Sequence, residues 1–460
     1  MGQALVVFIF LSILSSFPMA TNGLTIKLMR RDQVDLNLVP ENLSIAEKHQ
    51  IYADLAHSRA LRFSEQAVML NFMKSVNPFL NRSMGDRIWN DTISPKLSQL
   101  LDSMFVVPFT IGSQRYSTYL LFDTGSPFTW VQCHGCLNCF KIRGGPFDPR
   151  RSTTYRTLPF DSPLCQKQLR IRDSCGFRIS YPTSSVEGIT SLENVLFTTT
   201  AGPPMTVPNL VLGCATSAPG VTFGNNDGPH NPISGIFGIA MGLFRDSFMV
   251  ITQYITKWKF SYCLPSWNAG HIQSNLLFGD DVKPLPRSAQ TTPLQTVQYY
   301  LNCYDISVAG KRLNLDRALF RVRPDGTGGF IMDTGTAPTC LVAPAYDKVK
   351  EAIVLSLGRH MRPGTPVRPY DLCYSWPLPR IPQLPSLTFH FQNADLEIDF
   401  WNVFQTVQVS RGRKSVCMIM HRADIRAPNL LGAVQQANYR FVHNLRDQTL
   451  SFYPETCRGN

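Results

Sequence analysis

One short motif occurs twice in this 460-residue chain, as LFDTGS at residues 121–126 and as IMDTGT at residues 331–336. In each copy an apolar run ends on an aspartate, Asp123 or Asp333. Burying a carboxylate costs free energy unless hydrogen-bond donors surround it. The glycine that follows lets the chain turn sharply, so that backbone N–H groups can reach the carboxylate. A single copy is compatible with an ordinary turn, but two matched copies predict a two-fold site where the aspartates meet.

A second pair of matched segments accompanies the motif. Residues 235–238 read GIFG after the first copy, and residues 430–432 read LLG after the second. Apolar runs that end on glycine are typical of buried strands that another backbone approaches closely. Both halves of the chain therefore carry the same two-part signature, which predicts an internal duplication.

The composition favours a mainly β, secreted protein. Hydrophobic residues make up 44% and charged residues 17% of the chain, which is typical of a globular protein. The 33 prolines and 30 glycines favour turns and short strands over long helices. Twelve cysteines fit an oxidising compartment. Cys133, Cys136 and Cys139 are spaced C-x2-C-x2-C. We therefore interpret them as cysteines of structural disulfides rather than as zinc ligands or redox-active cysteines.

The N-terminal region divides into two predicted segments. Residues 1–23 hold an apolar run followed by small residues and are predicted to be a signal peptide. Residues 24–102 contain no cysteine but all three glycosylation sequons, at Asn42, Asn81 and Asn90. We interpret residues 24–102 as a removable prosegment whose cations sit on the carboxylates until acid protonates them. The alternative is a permanent N-terminal domain.

The net charge and the hydropathy of the chain indicate which kinds of binding partner to expect. The formal net charge is +12, which we attribute to solubility in an acidic place rather than to anionic partners. No aromatic–basic stripe or motif indicates a nucleic-acid role. A membrane-spanning helix needs about 18 consecutive apolar residues, and no apolar run after the signal peptide comes near that length. No membrane anchor is therefore expected.

These motifs resemble those of the pepsin-like aspartic proteases, and within them the plant nepenthesin-type branch. Besides the Asp-Thr-Gly loops, the resemblance includes residues 211–214 (VLGC), 260–264 (FSYCL) and 429–440 (NLLGAVQQANYR). It implies an all-β, bilobal fold with short helices and a cleft between two homologous lobes, residues 103–285 and 286–460.

The resemblance also assigns roles to individual residues. It implies a catalytic pair, Asp123 and Asp333, without metal or cofactor. The residues expected to contact substrate are Gly125, Ser126, Tyr181, Gly335 and Thr336. The residues expected to support the site are Thr124, Thr334 and Trp130. Tyr181 would lie on a hairpin flap over the cleft and hydrogen-bond Trp130, the alternative being a half-buried strand tyrosine. The chain departs from the family after Tyr181, because Pro182 and Thr183 replace the usual Gly-Asp.

Two disulfides are implied by the resemblance, Cys263 with Cys457 and Cys373 with Cys417. Pairing stays open for the other candidates, which are Cys133, Cys136, Cys139, Cys165, Cys175 and Cys214. Cys303 and Cys340 are unusual for the branch. They form either a private disulfide or two free buried thiols.

The expected function is that of a secreted or vacuolar aspartic endopeptidase, monomeric and acting on proteins or peptides at acidic pH. A serine protease is excluded because no G-x-S-x-G motif occurs. A glycosidase also uses two carboxylates but does not require matched Asp-Thr-Gly loops. The remaining alternative is a catalytically weak or inactive binding protein of the same fold, similar to xylanase inhibitors.

Overall fold

The computed structural model describes most of the chain from residue 104 onward and two short stretches before it. The described residues are 23–30, 59–60, 104–165, 169–181, 184–197, 204–221, 223, 231–241, 248, 252, 256–266, 274–295, 298–358, 361–365, 367–377, 384–410 and 413–457. Residues 1–22 of the predicted signal peptide and the glycosylation sites lie outside them, as do Pro182, Thr183 and the side chain of Tyr181. Strands dominate the described part, which confirms the predicted mainly β fold.

The first half of the chain is built from antiparallel hairpins. Its strands are β2 (Phe105–Ile111), β3 (Tyr116–Asp123), β4 (Trp130–Leu137), β5 (Arg156–Thr157), β6 (Leu169–Ile171), β7 (Ser174–Tyr181), β8 (Ser184–Phe197), β9 (Met205–Ser217) and β10 (Ile233–Gly238). Strands β2–β3, β7–β8 and β8–β9 pair antiparallel. Buried and half-buried positions alternate along β8, as expected for a strand with one face on the core.

The second half repeats this β-rich organisation. Its strands are β14 (Tyr300–Leu301), β15 (Cys303–Val308), β16 (Lys311–Arg312), β17 (Phe330–Asp333), β18 (Thr339–Val342), β19 (Cys373–Ser375), β20 (Leu387–Phe391), β21 (Ala394–Ile398), β22 (Phe404–Ser410), β23 (Arg413–Met418), β24 (Met420–Ala423) and β25 (Asn429–Gly432). Strands β15, β16, β20 and β21 form a four-stranded sheet, and β19, β22 and β23 a three-stranded one.

A six-stranded antiparallel sheet joins the two halves. In spatial order it consists of β1 (Gly23–Arg30), β12 (Ser274–Gly279), β11 (Lys259–Cys263), β26 (Tyr439–Asn444), β27 (Thr449–Pro454) and β13 (Gln290–Gln295). On β26, His443 is fully buried and stacks on Phe260 with ring centroids 4.3 Å apart. Neither ring nitrogen of His443 has a hydrogen-bond partner within the described part of the chain. Burial lowers the pKa of His443 to about 3.

The helices are few and short within the described ranges. The α-helices are α1 (Ala343–Leu357) and α2 (Phe400–Val403), and 3-10 turns cover Pro149–Arg151 and Arg317–Phe320. In α1 the buried residues recur at helical spacing, as with Tyr346, Val349 and Ile353. The helix ends at Gly358, whose φ of 55° is easily adopted by glycine.

Five disulfides and two free thiols account for the twelve cysteines. The bonded pairs are Cys133–Cys214, Cys136–Cys139, Cys165–Cys175, Cys263–Cys457 and Cys373–Cys417. Two of these are the pairs that the family resemblance implies. Cys303 and Cys340 are free and buried, so the structure contains no private disulfide between them.

Candidate active site

Each Asp-Thr-Gly loop begins at the end of a strand that lies parallel to a glycine-ended strand. Asp123 on β3 stands opposite Gly238 on β10, and Asp333 on β17 stands opposite Gly432 on β25. A Cβ added at Gly238 would lie 2.6 Å from the carbonyl oxygen of Ser126. Glycine is therefore required where the loop crosses the neighbouring strand. The two halves build the same local structure, as the repeated signature predicts.

Each carboxylate is fully buried and receives two donors from its own loop. Gly125 N–H donates to Asp123 Oδ1 over 2.8 Å, and the hydroxyl of Ser126 donates to Asp123 Oδ2 over 2.6 Å. In the second loop, Gly335 N–H donates to Asp333 Oδ1 over 2.9 Å and the Thr336 hydroxyl donates to Asp333 Oδ2. These donors compensate the burial of the two carboxylates and fix their orientation.

The two threonines tie the loops to each other. Thr124 N–H donates to Thr334 Oγ1, and Thr334 N–H donates to Thr124 Oγ1. Each hydroxyl in turn donates across the dyad axis, Thr124 to the carbonyl of Met332 over 3.1 Å and Thr334 to that of Phe122 over 3.2 Å. Each half contributes the same set of donors and acceptors to these four hydrogen bonds. Neither loop can therefore shift without the other.

The glycines of the loops bring the two carboxylates face to face. A Cβ added at Gly125 would lie 2.7 Å from Asp333 Oδ1, and one added at Gly335 would collide with Asp123 Oδ1. Each glycine therefore lies against the carboxylate of the opposite loop. Any side chain at either position would fill the space between the aspartates.

Arg59, from the region before the first lobe, occupies that space. Its Nη2 forms an ion pair and hydrogen bond with Asp123 Oδ1, and its Nε forms an ion pair with Asp333 Oδ2. The Arg59 side chain is 9% exposed. Sequence reasoning expected cations of this region at the carboxylates but did not single out Arg59. The local signal was weak, since residues 24–100 contain ten lysines and arginines.

Burial and the neighbouring charges together raise the pKa values of both Asp333 and Arg59. Burial raises the pKa of Asp333, and the neighbouring Asp123 acts in the same direction, whereas Arg59 and the Thr336 hydroxyl oppose the rise. Burial alone would lower the pKa of Arg59, but the two carboxylates outweigh burial and raise it. Arg59 therefore remains a cation whenever it lies between the aspartates.

Ala60, the residue after Arg59, lies in a small apolar cluster beside the two aspartates. Ala60 is fully buried and packs with residues of the second half, namely Tyr300, Ile331, Cys340, Ala423, Ala427 and Leu430. Burial raises the pKa of the Cys340 thiol well above its usual range, and Asp333 adds to the effect. Cys340 is thus a neutral, apolar neighbour of the site rather than a nucleophile.

The predicted flap is a hairpin of the first half. Strand β7 pairs with β8 up to Tyr181 opposite Ser184, so residues 182–183 connect them. Trp130, the expected partner of a flap tyrosine, is fully buried and begins β4 beside β10. The side chain of Tyr181 is outside the described residues, so its predicted contact with Trp130 stays a prediction.

Among the described residues, no three histidine, cysteine, aspartate or glutamate side chains lie close enough together to hold a metal ion. No described helix combines the length and the hydropathy needed to cross a membrane.

Two family models match consecutive parts of the chain. A model described as xylanase inhibitor N-terminal matches residues 105–280, and one described as xylanase inhibitor C-terminal matches residues 298–454. Together the two models cover most of the chain after residue 104.

Curated relatives and a solved structure extend the match. A probable aspartic protease of Arabidopsis thaliana is 30% identical over 78% of this chain and 82% of its own length. Aspartic proteinase nepenthesin-1 of Nepenthes gracilis is 28% identical over 77% and 78% of the two chains. The crystal structure of edgp superimposes with a TM-score of 0.61 at 18% identity, over 80% of this chain and 96% of that one.

Proposed function

Because this chain belongs to the pepsin-like aspartic protease family, we propose that it is an aspartic endopeptidase that cleaves peptide bonds at acidic pH. The observation that carries the proposal is the matched pair of buried carboxylates, Asp123 and Asp333, each held by the donors of its own loop. Damage to either loop would argue against catalysis, but both loops are intact.

The chemistry follows from sharing one proton between two close carboxyls. Like charges at this separation do not both ionise readily, so one carboxyl stays protonated over an acidic range. The ionised member takes a proton from a water whose oxygen then bonds to the substrate carbonyl carbon. The protonated member gives its proton to the carbonyl oxygen. The carboxyl that took the water proton then gives it to the amide nitrogen, while a hydroxyl of the tetrahedral intermediate returns its proton to the other carboxylate. The C–N bond breaks, and the acid and amine products leave.

We further propose that the full-length chain is an inactive precursor. Arg59 fills the position between the carboxylates where the attacking water would stand. Protonation of the dyad removes the negative charge that holds the guanidinium, so acid favours release of Arg59. The predicted signal peptide and the five disulfides support synthesis in the secretory pathway, with delivery to the apoplast or the vacuole.

The test is hydrolysis of a denatured protein between pH 2 and 7 after acid incubation, with Asp123→Asn as the control. Activity at acidic pH that disappears in Asp123→Asn supports the dyad. Absence of activity in both, once mass spectrometry proves that Arg59 has been cleaved away, contradicts the proposal.

A binding protein without catalysis is the second candidate. It is favoured by the description of both family models as xylanase inhibitor domains and by Pro182 at the hairpin connection. Titration with a transition-state-like peptide inhibitor distinguishes the two, since an enzyme binds it stoichiometrically at the dyad. Inhibition of an endoxylanase without peptide hydrolysis would favour the binding protein.

A further inference from the structure

The most N-terminal described strand, β1, is part of the folded body. Residues 23–28 pair in register with β12, from Gly23 opposite Gly279 to Leu28 opposite Ser274. Met29 and Arg30 then pair with β2, opposite Val106 and Phe105. Strand β1 is thus the edge of the sheet that joins the halves and continues into the first lobe.

The inward side of β1 belongs to the hydrophobic core. Leu24, Ile26 and Leu28 are each 0% exposed and lie in the largest core cluster, while Met29 packs into the second cluster with Met104 and Val106. Removing β1 would expose this apolar surface to water. It would also leave β12 as an unpaired edge strand, with its N–H and C=O groups open to other chains.

A chain cut near residue 102 has nothing with which to replace β1. Such a product starts within two or three residues of Phe105, which is already the first residue of β2. A strand that covers β12 from Ser274 to Gly279 needs about six residues at about 3.3 Å each. The new N-terminus is too short to pair along β12.

We infer that residues 23–30 stay bound after the chain is cut near residue 102 and again between β1 and Arg59, as a short non-covalent strand of a two-chain protein. It differs from the expectation that residues 24–102 leave as one unit, which stays a prediction. The inference rests on the proposed function only in so far as natural processing occurs near residue 102. It assigns different fates to two parts of the precursor, because Arg59 is held by charge and β1 by apolar burial and backbone pairing.

Acid is expected to release Arg59 but not β1. The contacts of Arg59 are to two carboxylates that acid can neutralise. On β1, the described side-chain bond to a carboxylate is that from the Thr25 hydroxyl to Asp281, whereas the buried residues contact apolar neighbours. Those apolar contacts do not depend on protonation.

The test uses the full chain with Asp123→Asn, so that it does not depend on catalysis. Recognition sites for a specific protease are inserted after residue 38 and after residue 102, both outside the described residues. After cutting, the protein is brought to pH 4 and separated by size-exclusion chromatography with mass spectrometry. We expect the fragment that contains residues 23–38 to elute with the body in a one-to-one ratio, while the middle fragment with Arg59 separates. Separation of the residue 23–38 fragment from a body that keeps its circular dichroism spectrum would overturn the inference.

A matched pair of variants tests the role of burial. Ile26→Ser changes a fully buried residue, whereas Lys27→Ser changes the adjacent half-buried residue. The Ile26 variant should retain at least tenfold less fragment, and the Lys27 variant should match the parent within twofold. Equal retention in the two variants contradicts the argument from burial. If Ile26→Ser does not fold, the parent measurement alone decides. A separate assay of wild-type hydrolysis tests the proposed function, so either idea can fail without the other.

Discussion

The main-chain N–H of Thr124 donates to the hydroxyl of Thr334 over 3.0 Å, and the N–H of Thr334 donates to the hydroxyl of Thr124 over 2.9 Å. Thr334→Val leaves the buried Thr124 N–H without its acceptor. We expect the free energy of unfolding to fall by about 1–3 kcal/mol. Peptidase activity should fall by about a hundredfold, because small displacements of catalytic groups are costly. Denaturant unfolding and kcat/KM measure the two effects. Thr334→Ser keeps the hydroxyl and should stay near wild type; equal losses in both variants would contradict the hydrogen-bond argument.

Arg59 should set the pH at which the full-length chain becomes active. Arg59→Gln removes the cation that bridges Asp123 and Asp333. Hydrolysis of a peptide at pH 6 without prior acid incubation should rise more than about tenfold. A tenfold change requires about 1.4 kcal/mol, and the loss of a buried ion pair changes the free energy of the blocked state by more than that. Arg59→Lys preserves a cation and should activate much less. An Arg59→Gln protein as silent as wild type would show that another element blocks the site.

Thr336 should influence the upper pH limit of activity. Its hydroxyl lowers the pKa of Asp333 against the larger upward effect of burial. Thr336→Val therefore raises that pKa further, so the singly protonated pair persists to higher pH. The alkaline limb of kcat/KM should therefore move upward, and it should stay in place for Thr336→Ser. A limb that moves downward would contradict this assignment.

His443 should weaken the fold in acid. Its pKa is about 3 in the folded state and 6.5 as a free side chain, so between these values the unfolded chain binds the extra proton. The contribution of neutral His443 is complete above pH 6.5 and is lost as the pH falls toward 3. When the pH is lowered from 7.5 to 4.5, the free energy of unfolding of the wild type should therefore fall by about 2–3 kcal/mol more than that of His443→Phe.

The control for His443 is His134, an exposed histidine on β4. Thermal unfolding of His134→Phe should follow the wild-type pH dependence. An unchanged pH dependence in His443→Phe would mean that the buried ring does not titrate as its surroundings imply.

The sequence was most informative where chemistry repeats within the chain. The loops at Asp123 and Asp333 were recognisable because each needs the same glycine and hydroxyl next to its carboxylate. Helix α1 was foreseeable for a similar reason, since its apolar residues recur at helical spacing. These features depend on neighbours close in sequence.

Contacts between distant segments were harder to predict. The bond between Cys133 and Cys214 depends on the parallel pairing of β4 with β9, which cysteine spacing does not reveal. The pairing of β1 with β12 was not predicted, because the two strands lie about 250 residues apart in the chain. The alternation of Leu24, Ile26 and Leu28 with polar residues was a usable strand signal. No comparable pattern pointed to His443, whose environment is assembled from separate strands.

The bond between Cys263 and Cys457 closes a loop across a sequence separation of 194 residues. That loop contains nearly all of the second lobe and the second aspartate. A single nick anywhere inside it produces two polypeptides that remain covalently joined and held in one sheet. In surroundings rich in proteases, the molecule can therefore take one cut in a surface loop of this region without losing the covalent link between its two aspartates.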